Sequence, residues 1–304
     1  MSTASCVRET RGLTGDDAWR TLRSTGHVRL IRDAFTRLRA ADGFSHARSL
    51  AFALSLVMVQ GLVALVGLAV ELGQASFSHT ILGGIDKAVP GPASSLLAWT
   101  FAQAQKVGLE HKSLPLLLGL GGTVVTATTA TGQIIRGINR IYGVEYDGPS
   151  VHKYARALLL ALLVLGSLVT ATTVLTWGRG LDVGAGHERH VAWFILRWPV
   201  VLALAAMSFG AILRWAPRRR QPRWSWLVFG GIVGVAGWTL VTLSLAAVFR
   251  VSSSFGEVYG ALAGVVALQM WSLLSSVAIF FGVSVAAQLE AARSGTAPSR
   301  RSGS

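Results

Sequence analysis

Residues 49–72, SLAFALSLVMVQGLVALVGLAVEL, form an apolar stretch in which Glu71 is the one charged side chain. A helix needs about 20 consecutive apolar residues to cross the hydrocarbon core of a bilayer. A cleaved signal peptide is excluded, because the stretch starts too deep in the chain, is too long and lacks a small-residue cleavage site followed by a soluble chain. The stretch therefore predicts a transmembrane helix.

Five more stretches of this kind follow, and the composition agrees with them. Hydrophobic residues make up 52% of the 304 residues and charged residues 14%, whereas soluble domains carry about 25% charged residues. With a mean hydropathy of +0.52, the chain has too few charges to cover a water-facing surface. We predict an all-α, polytopic integral membrane protein, a helical bundle with six transmembrane helices. Their ranges are 49–72, 114–135, 155–177, 191–213, 226–249 and 259–287.

The basic residues are distributed unevenly between the connections of these spans. Of the 28 Lys and Arg residues, 21 lie in one set of alternating connections and 6 in the other, with Arg197 inside a span. Because Lys and Arg of short loops remain on the cytoplasmic side, both termini are predicted to be cytoplasmic. The net charge of +14 then needs no nucleic acid as a partner. We divide the chain into a cytoplasmic segment 1–45, a membrane domain 46–292 and a disordered tail 293–304.

Two segments outside the spans have helical patterns of their own. Between Val28 and Leu38, apolar residues recur at helical spacing, and four arginines, Arg29, Arg32, Arg37 and Arg39, lie among them or directly after them. This pattern is typical of a basic amphipathic helix that lies on the anionic lipids of the inner leaflet. The alternative is a helix packed against the cytoplasmic face of the protein itself. Residues 73–113 predict two short helices at the outer interface, broken at Pro90-Gly91-Pro92.

A stripe of small and polar residues follows one face of the second predicted span, at spacings of three and four. In one hypothesis it lines a polar cavity, where Arg136 and Arg140 attract an anionic group at the cytoplasmic mouth and Asn139 is a hydrogen-bonding neighbour. In the alternative, the polar residues pack helices together and the arginines anchor the helix at the interface. The stripe consists of Gly119, Gly122, Thr126, Thr129, Gln133, Arg136 and Arg140.

Two further spans carry candidate polar contacts. Arg197 lies near the outer end of the fourth span, where it either contacts an anion or Glu71, or extends outward to the interface. In the sixth span, Gln269, Ser272 and Ser276 share a face with small residues. If the second and sixth spans turned their polar faces toward each other, they would enclose a water-filled cavity. Otherwise this face is a packing surface.

No motif of a known enzyme class is present in the sequence. The histidines are scattered, and the nearest approach to a metal site, His187-Glu188-Arg189-His190, has its histidines three apart instead of the four of a zincin helix. The one cysteine, Cys6, excludes cysteine-rich metal clusters and a disulfide framework. Phosphate-loop, Rossmann and serine-hydrolase motifs are lacking. We therefore expect no enzymatic activity, no metal and no cofactor.

Several segments, taken in their order along the chain, resemble a known family. They are Asp42–Phe52, Gly137–Glu145, the arginine run after Pro217 with the glycines that follow it, and Tyr259–Gly264 continuing to Gly282. Over roughly residues 40–292 the chain resembles the YihY/BrkB family of bacterial inner-membrane proteins, once labelled ribonuclease BN. The resemblance implies six membrane helices in the bacterial cytoplasmic membrane. The family's last span often carries Gly-Ala-Glu, whereas this chain has Gly282-Val283-Ser284, so no proton-coupled role of that Glu is carried over.

These patterns leave three functional hypotheses. The first is a transporter-like conduit or translocator for an anionic solute or lipid. The second is an envelope-assembly or interaction protein without substrate flux, which grips anionic lipids or a partner protein. The third is a membrane ribonuclease, which the lack of a metal-ligand cluster disfavours. The sequence does not determine the substrate or the oligomeric state.

The topology can be tested by accessibility labelling of single-cysteine variants in a Cys6→Ser background. We expect a membrane-impermeant thiol reagent to label Arg250→Cys in intact cells and Arg220→Cys only after permeabilisation, since these residues lie in connections of opposite charge bias. Labelling of Arg220→Cys in intact cells would overturn the predicted orientation.

Overall fold

The protein is all-helical in a computed structural model that describes residues 4–10, 12–71, 83, 89–111, 113–144, 150–177, 200, 204, 210–252, 254–259 and 262–295. No strand occurs among these residues. Four of the helices, α3, α5, α7 and α9, are long and apolar enough to cross a membrane, which confirms the predicted fold class. The described helices are α1 Gly15–Thr25, α2 His27–Ala40, α3 Gly43–Glu71, α4 Pro92–Glu110, α5 Leu114–Ile141, α6 Ser150–Trp177, α7 Trp224–Val251, α8 Ser254–Tyr259 and α9 Ala263–Arg293.

The predicted spans match these helices in order, with shifted ends. The first span starts earlier, at Gly43, and the second continues to Ile141. The sixth starts later, at Ala263, because residues 254–259 form the separate helix α8. Most of the fourth predicted span, 191–213, lies outside the described residues, as does Arg197. The count of six spans therefore stays a prediction.

Helix α9 is the centre of the bundle. In an apolar 18-residue segment of α9, 67% of the residues are buried, whereas 11% are buried in the corresponding segment of α7. It packs against α7, α3, α2 and α4. Helix α3 also packs against α5, and α5 in turn packs against α6. A helix surrounded by other helices presents few side chains to lipid, so α9 has more buried residues than any other described helix.

Glycines set the close approach of the main helix pairs. At the crossing of α7 and α9, a Cβ atom on Gly230 would lie 2.6 Å from the Gly282 carbonyl oxygen. At the crossing of α3 and α5, a Cβ atom on Gly67 or Gly119 would collide with the backbone of the partner helix. Small residues allow such contacts between apolar helices. This contact shows that Gly230 lies in the packing surface between α7 and α9.

Helix α4 differs from the predicted pair of short interfacial helices. It begins at Pro92, directly after the predicted break, because proline is tolerated in a first helical turn. It then runs for 19 residues, and its apolar face, including Leu97 and Phe101, is buried with Leu268 and Trp271 of α9. The part of the predicted pair before residue 89 lies outside the described residues, apart from residue 83.

The four segments predicted to be cytoplasmic meet at one end of the bundle. Val7 donates its N–H to the Tyr142 carbonyl at 3.1 Å, Arg218 is bonded to Asn139, and Arg219 is bonded to Glu290. We call this end, made of residues 4–10, 12–14, α2, 139–144, 216–223 and 288–293, the basic end. The predicted amphipathic helix is confirmed there as α2, which packs against α9.

Packing at the α3–α5 crossing can be tested with two neighbouring glycines of α5. Gly119→Ala should lower the melting temperature in detergent, because the added methyl group meets the Ala64 backbone and overpacking costs about 1–3 kcal/mol. Gly121→Ala is the matched control, since a Cβ atom there has no heavy atom within 4 Å. Equal melting temperatures of the two variants would contradict the close contact.

Candidate functional site

The first half of the predicted polar stripe packs α5 against α3. A Cβ atom on Gly119 would collide with the Ala64 backbone nitrogen, and one on Gly122 would lie 2.5 Å from Gln60 Oε1. Thr126 Oγ1 donates to the same Gln60 oxygen at 3.1 Å. At these three positions the structure matches the packing alternative, in which small and hydroxylated residues join membrane helices.

The middle of the stripe turns away from that contact. Thr129 is exposed, and its hydroxyl donates to the Val125 carbonyl of its own helix at 3.0 Å. Gln133, one turn later, is half-buried. The stripe therefore does not face one continuous surface, because α3 covers only part of the arc that the stripe occupies.

Gln269 of α9 also faces α3. Ser55 Oγ lies 2.9 Å from Gln269 Oε1 and 3.1 Å from Ser272 Oγ, and Ser272 is fully buried. The polar faces of α5 and α9 thus each contact α3 among the described residues. Ser55 and Gln60, which supply these contacts from α3, were not singled out by the sequence because they lie within an otherwise apolar run.

At the C-terminal end of α5 the stripe becomes cationic. Arg136 and Arg140 are half-buried, and Arg136 Nε is a buried donor with no hydrogen-bond partner among the described residues. Within that same part of the chain, neither arginine forms an ion pair. A buried donor without an acceptor costs free energy, so this position favours an anionic oxygen as its partner.

Asn139 holds the loop before α7 against this end of α5. It is 1% exposed, and its Oδ1 accepts the backbone N–H of Arg218 at 2.9 Å. The contact brings the Arg218 backbone to the end of α5. We call Arg136 and Arg140, one turn apart at this end of α5, the arginine cluster.

A second buried group at the basic end was not predicted from the sequence. Arg219 Nη2 lies 2.5 Å from Glu290 Oε1, and the two side chains are 3% and 0% exposed. The hydroxyl of Thr10 donates to the same carboxylate oxygen at 2.6 Å, and the Arg219 guanidinium lies 4.5 Å from the centre of the Tyr142 ring. The available signal was a lone carboxylate directly after the predicted sixth span, in a segment with the same predicted side of the membrane as the arginine run 214–223.

Arg37 of α2 completes this group. It is fully buried, its Nε donates to Gln288 Oε1 at 2.9 Å, and its Nη1 donates to the carbonyls of Ser5 and Ile141 at 3.0 and 3.1 Å. Burial lowers the pKa of Arg37 to about 10, so the side chain is still charged at neutral pH. Burial also raises the pKa of Tyr142, which keeps its hydroxyl protonated.

The two groups have different chemical capacities. In the buried group, Arg37 donates to amide, carbonyl and hydroxyl oxygens and Arg219 is paired with the Glu290 carboxylate, which makes that group a structural fastening. Arg136 and Arg140 form no ion pair with the described residues, so they can bind an anion. Among the described residues, no group of three or more His, Cys, Asp or Glu side chains could hold a metal ion. Residues 186–190, the nearest approach to a metal site in the sequence, lie outside them.

Comparisons with known proteins agree with the membrane architecture. A sequence model of the family described as virulence factor BrkB matches residues 34–303. The ribonuclease-like protein YfkH of Bacillus subtilis (strain 168) is 22% identical over 266 residues, which cover 85% of this chain and 94% of the relative. No solved structure matches the chain.

The fastening at the basic end can be tested by removing one charge. Glu290→Ala leaves Arg219 buried without its counter-ion and should destabilise the protein by about 3–5 kcal/mol, seen as a lower melting temperature in detergent. The exposed pair of Arg29 and Asp33, 3.8 Å apart, is the control. Arg29→Ala should leave the melting temperature unchanged, because such surface pairs contribute little.

The double variant Arg219→Met/Glu290→Leu distinguishes the effect on stability of removing the whole ion pair from the effect of leaving one buried charge unpaired. It leaves no buried charge behind, so it should be more stable than Glu290→Ala. A Glu290→Ala protein as stable as the wild type would show that the carboxylate does not fasten this end.

Proposed function

The chain belongs to the virulence factor BrkB family, and we propose that it is a multi-pass protein of the bacterial cytoplasmic membrane that conducts or translocates an anionic solute or lipid. Membership and four helices of membrane-spanning length and composition support the membrane location. The transport activity is an inference from the arginine cluster, and the cluster's chemistry points to a phosphate- or carboxylate-bearing substrate.

The observation that carries this proposal is the unpartnered guanidinium nitrogen of Arg136. Its Nε is buried and has no acceptor among the described residues, whereas the guanidinium of Arg37, on the same end of the bundle, donates to four acceptor atoms. Guanidinium groups bind carboxylate and phosphate through paired hydrogen bonds. An anion at Arg136 and Arg140 would supply the missing acceptor and offset the repulsion among the cluster's charges.

The position of the cluster suits a substrate that enters from the basic end. Arg136 and Arg140 are the last polar members of a stripe whose middle part, at Thr129, faces outward from the described helices. A lipid headgroup could follow this outward side while its acyl chains remain in the bilayer. A soluble anion would instead need a passage bounded by residues outside the described part of the chain.

A second function, interaction without flux, is favoured by a different observation, the exposed apolar and basic face of α2. Deleting residues 1–40 would not separate the two functions. Thr10 and Arg37 are bound to Glu290 and Gln288, so the deletion would expose a buried carboxylate and damage the fold. Substitutions confined to side chains at the arginine cluster are therefore the better test.

The name of the Bacillus subtilis relative supplies the only support for the third hypothesis, a ribonuclease. The purified protein, incubated with RNA with and without Mg²⁺, tests it directly. Cleavage of RNA that requires Mg²⁺ and is lost with a chelator would favour a ribonuclease over a transporter.

The transport proposal is tested in reconstituted vesicles. Arg136→Gln/Arg140→Gln should lower, by about tenfold or more, the rate of whichever process the wild type supports, since a lost charged hydrogen bond is worth about 1.5–3 kcal/mol. The assays are efflux of a panel of inorganic and organic anions, and transbilayer movement of fluorescent phosphatidylglycerol. Arg250→Gln, an exposed arginine at the C-terminal end of α7, is the control and should keep the wild-type rate.

The outcome distinguishes the first two functions. A correctly folded wild type that accelerates none of these processes would contradict transport and favour an interaction role. Wild-type activity that survives unchanged in Arg136→Gln/Arg140→Gln would show that the arginine cluster is not the anion contact.

A further inference from the structure

Helix α2 has one face buried in the protein. Leu30, Ala34 and Leu38 are at most 2% exposed, and Arg37 on the same face is bonded to Gln288. This face packs on α9, so one of the two alternatives for this segment, packing on the protein's own surface, accounts for these residues. It does not account for the rest of the helix.

A second side of α2, next to the buried face, presents three large apolar residues. Val28, Ile31 and Phe35 are 83%, 54% and 44% exposed. At 3.6 residues per turn they fall within an arc of about 60°. Together they form a narrow apolar strip, which we call the outer strip. Clustered apolar exposure of this kind marks a surface that contacts a partner or a membrane.

The outer strip is continuous with the outward side of the first membrane helix. The ring centres of Phe35 and Phe44 are 6.0 Å apart in an edge-to-face arrangement, and only Ala41 and Asp42 separate α2 from α3. Phe44 and Phe52 of α3 are 38% and 62% exposed and lie two turns apart on one side of that helix. Since Phe52 lies within the predicted span, this side of α3 faces lipid, and the outer strip meets it at the membrane boundary.

Positive charge borders the outer strip. Arg32 and Arg39 are exposed beside it, and Arg39 places its guanidinium 5.9 Å from the centre of the Phe35 ring. On α3, Arg48 is exposed between Phe44 and Phe52. Asp33, the one acidic residue of α2, is paired with Arg29. Apolar residues with arginines at their border suit the boundary between acyl chains and anionic headgroups.

We propose that α2 is an interfacial anchor whose outer strip, Val28, Ile31 and Phe35, inserts among the lipids of the anionic cytoplasmic leaflet, while Arg32 and Arg39 bind their phosphates. The buried face stays on α9, so the two alternatives for this segment apply to two neighbouring faces of one helix. The anchor is independent of any transport activity. It ties the position of the basic end, including the buried group around Glu290, to the headgroup layer.

The test places a bimane label on each side of α2 in the full-length protein, in a Cys6→Ser background. Val28→Cys reports the outer strip, and Thr36→Cys reports the side that carries Arg29. Both proteins are reconstituted in phosphatidylcholine vesicles with and without phosphatidylglycerol, with a trace of lipid bearing a headgroup nitroxide quencher. With phosphatidylglycerol, quenching at Val28→Cys should be at least about twofold greater than at Thr36→Cys, and it should fall without the anionic lipid.

Charge variants identify the contact. Arg32→Gln/Arg39→Gln in the Val28→Cys protein should reduce quenching in phosphatidylglycerol vesicles to the level seen in phosphatidylcholine alone. The matched control is Arg220→Gln/Arg223→Gln, which removes two exposed arginines elsewhere at the basic end and should not change the quenching.

Two outcomes overturn the proposal. The first is equal quenching at the two label positions, or a Val28→Cys label that stays in water in both kinds of vesicle. Either result would indicate that the outer strip does not contact lipid and would favour a protein partner. Quenching that does not depend on phosphatidylglycerol would remove the anionic lipid as its ligand. A melting temperature of each variant in detergent confirms that the label reports on a folded protein.

Discussion

The carboxylate of Glu290 is the charge around which the basic end is organised. It lies at the C-terminal end of the most buried helix, with no access to water, so it requires a counter-ion and hydrogen-bond donors. Arg219 and Thr10 supply them. Through these two residues, the loop before α7 and the N-terminal segment are fixed to α9. Arg37 is the corresponding buried cation. Its guanidinium donates hydrogen bonds to oxygen acceptors in three segments of the chain.

The arginines of this end all carry the same charge, but they differ in whether a group of the protein binds them. Arg37 and Arg219 are deeply buried and bound within the protein, Arg37 by four oxygen acceptors and Arg219 by the Glu290 carboxylate, and their role is to hold segments together. Arg136 is also partly buried, but in the described part of the chain it forms no ion pair and its Nε has no acceptor. A group that is buried and unsatisfied is a better candidate for ligand binding than one that is merely basic. This difference is the physical basis for placing the proposed anion contact on α5.

Within the membrane-spanning part, polar residues are used for helix association. Lipid offers no hydrogen bonds, so polar side chains that face the bundle interior pair with one another. Gln60 of α3 accepts from Thr126 of α5, and Ser55 of α3 bonds with Gln269 of α9. Helix α3 thereby joins both polar faces, and the glycines beside them bring the backbones into contact.

The sequence by itself determined the fold class, the order of the helices and the basic amphipathic helix α2. These features follow from local composition and periodicity, which act through burial in lipid and through the helical repeat. The segments predicted to share the cytoplasmic side were also shown to meet at one end. Most of the fourth predicted span, 191–213, and Arg197 within it lie outside the described residues, so the count of six spans still depends on the sequence.

Only the tertiary structure decided which polar residue meets which. The spacing that placed Thr126, Thr129 and Arg136 on one stripe says nothing about the neighbouring helix, because a stripe is covered only as far as its partner extends. Thr126 thus packs on Gln60, while Thr129 faces outward. The pairing of Arg219 with Glu290 joins residues 71 positions apart, and no local pattern encodes such a contact. Helix packing brings the two charges together, and their burial makes the pairing obligatory.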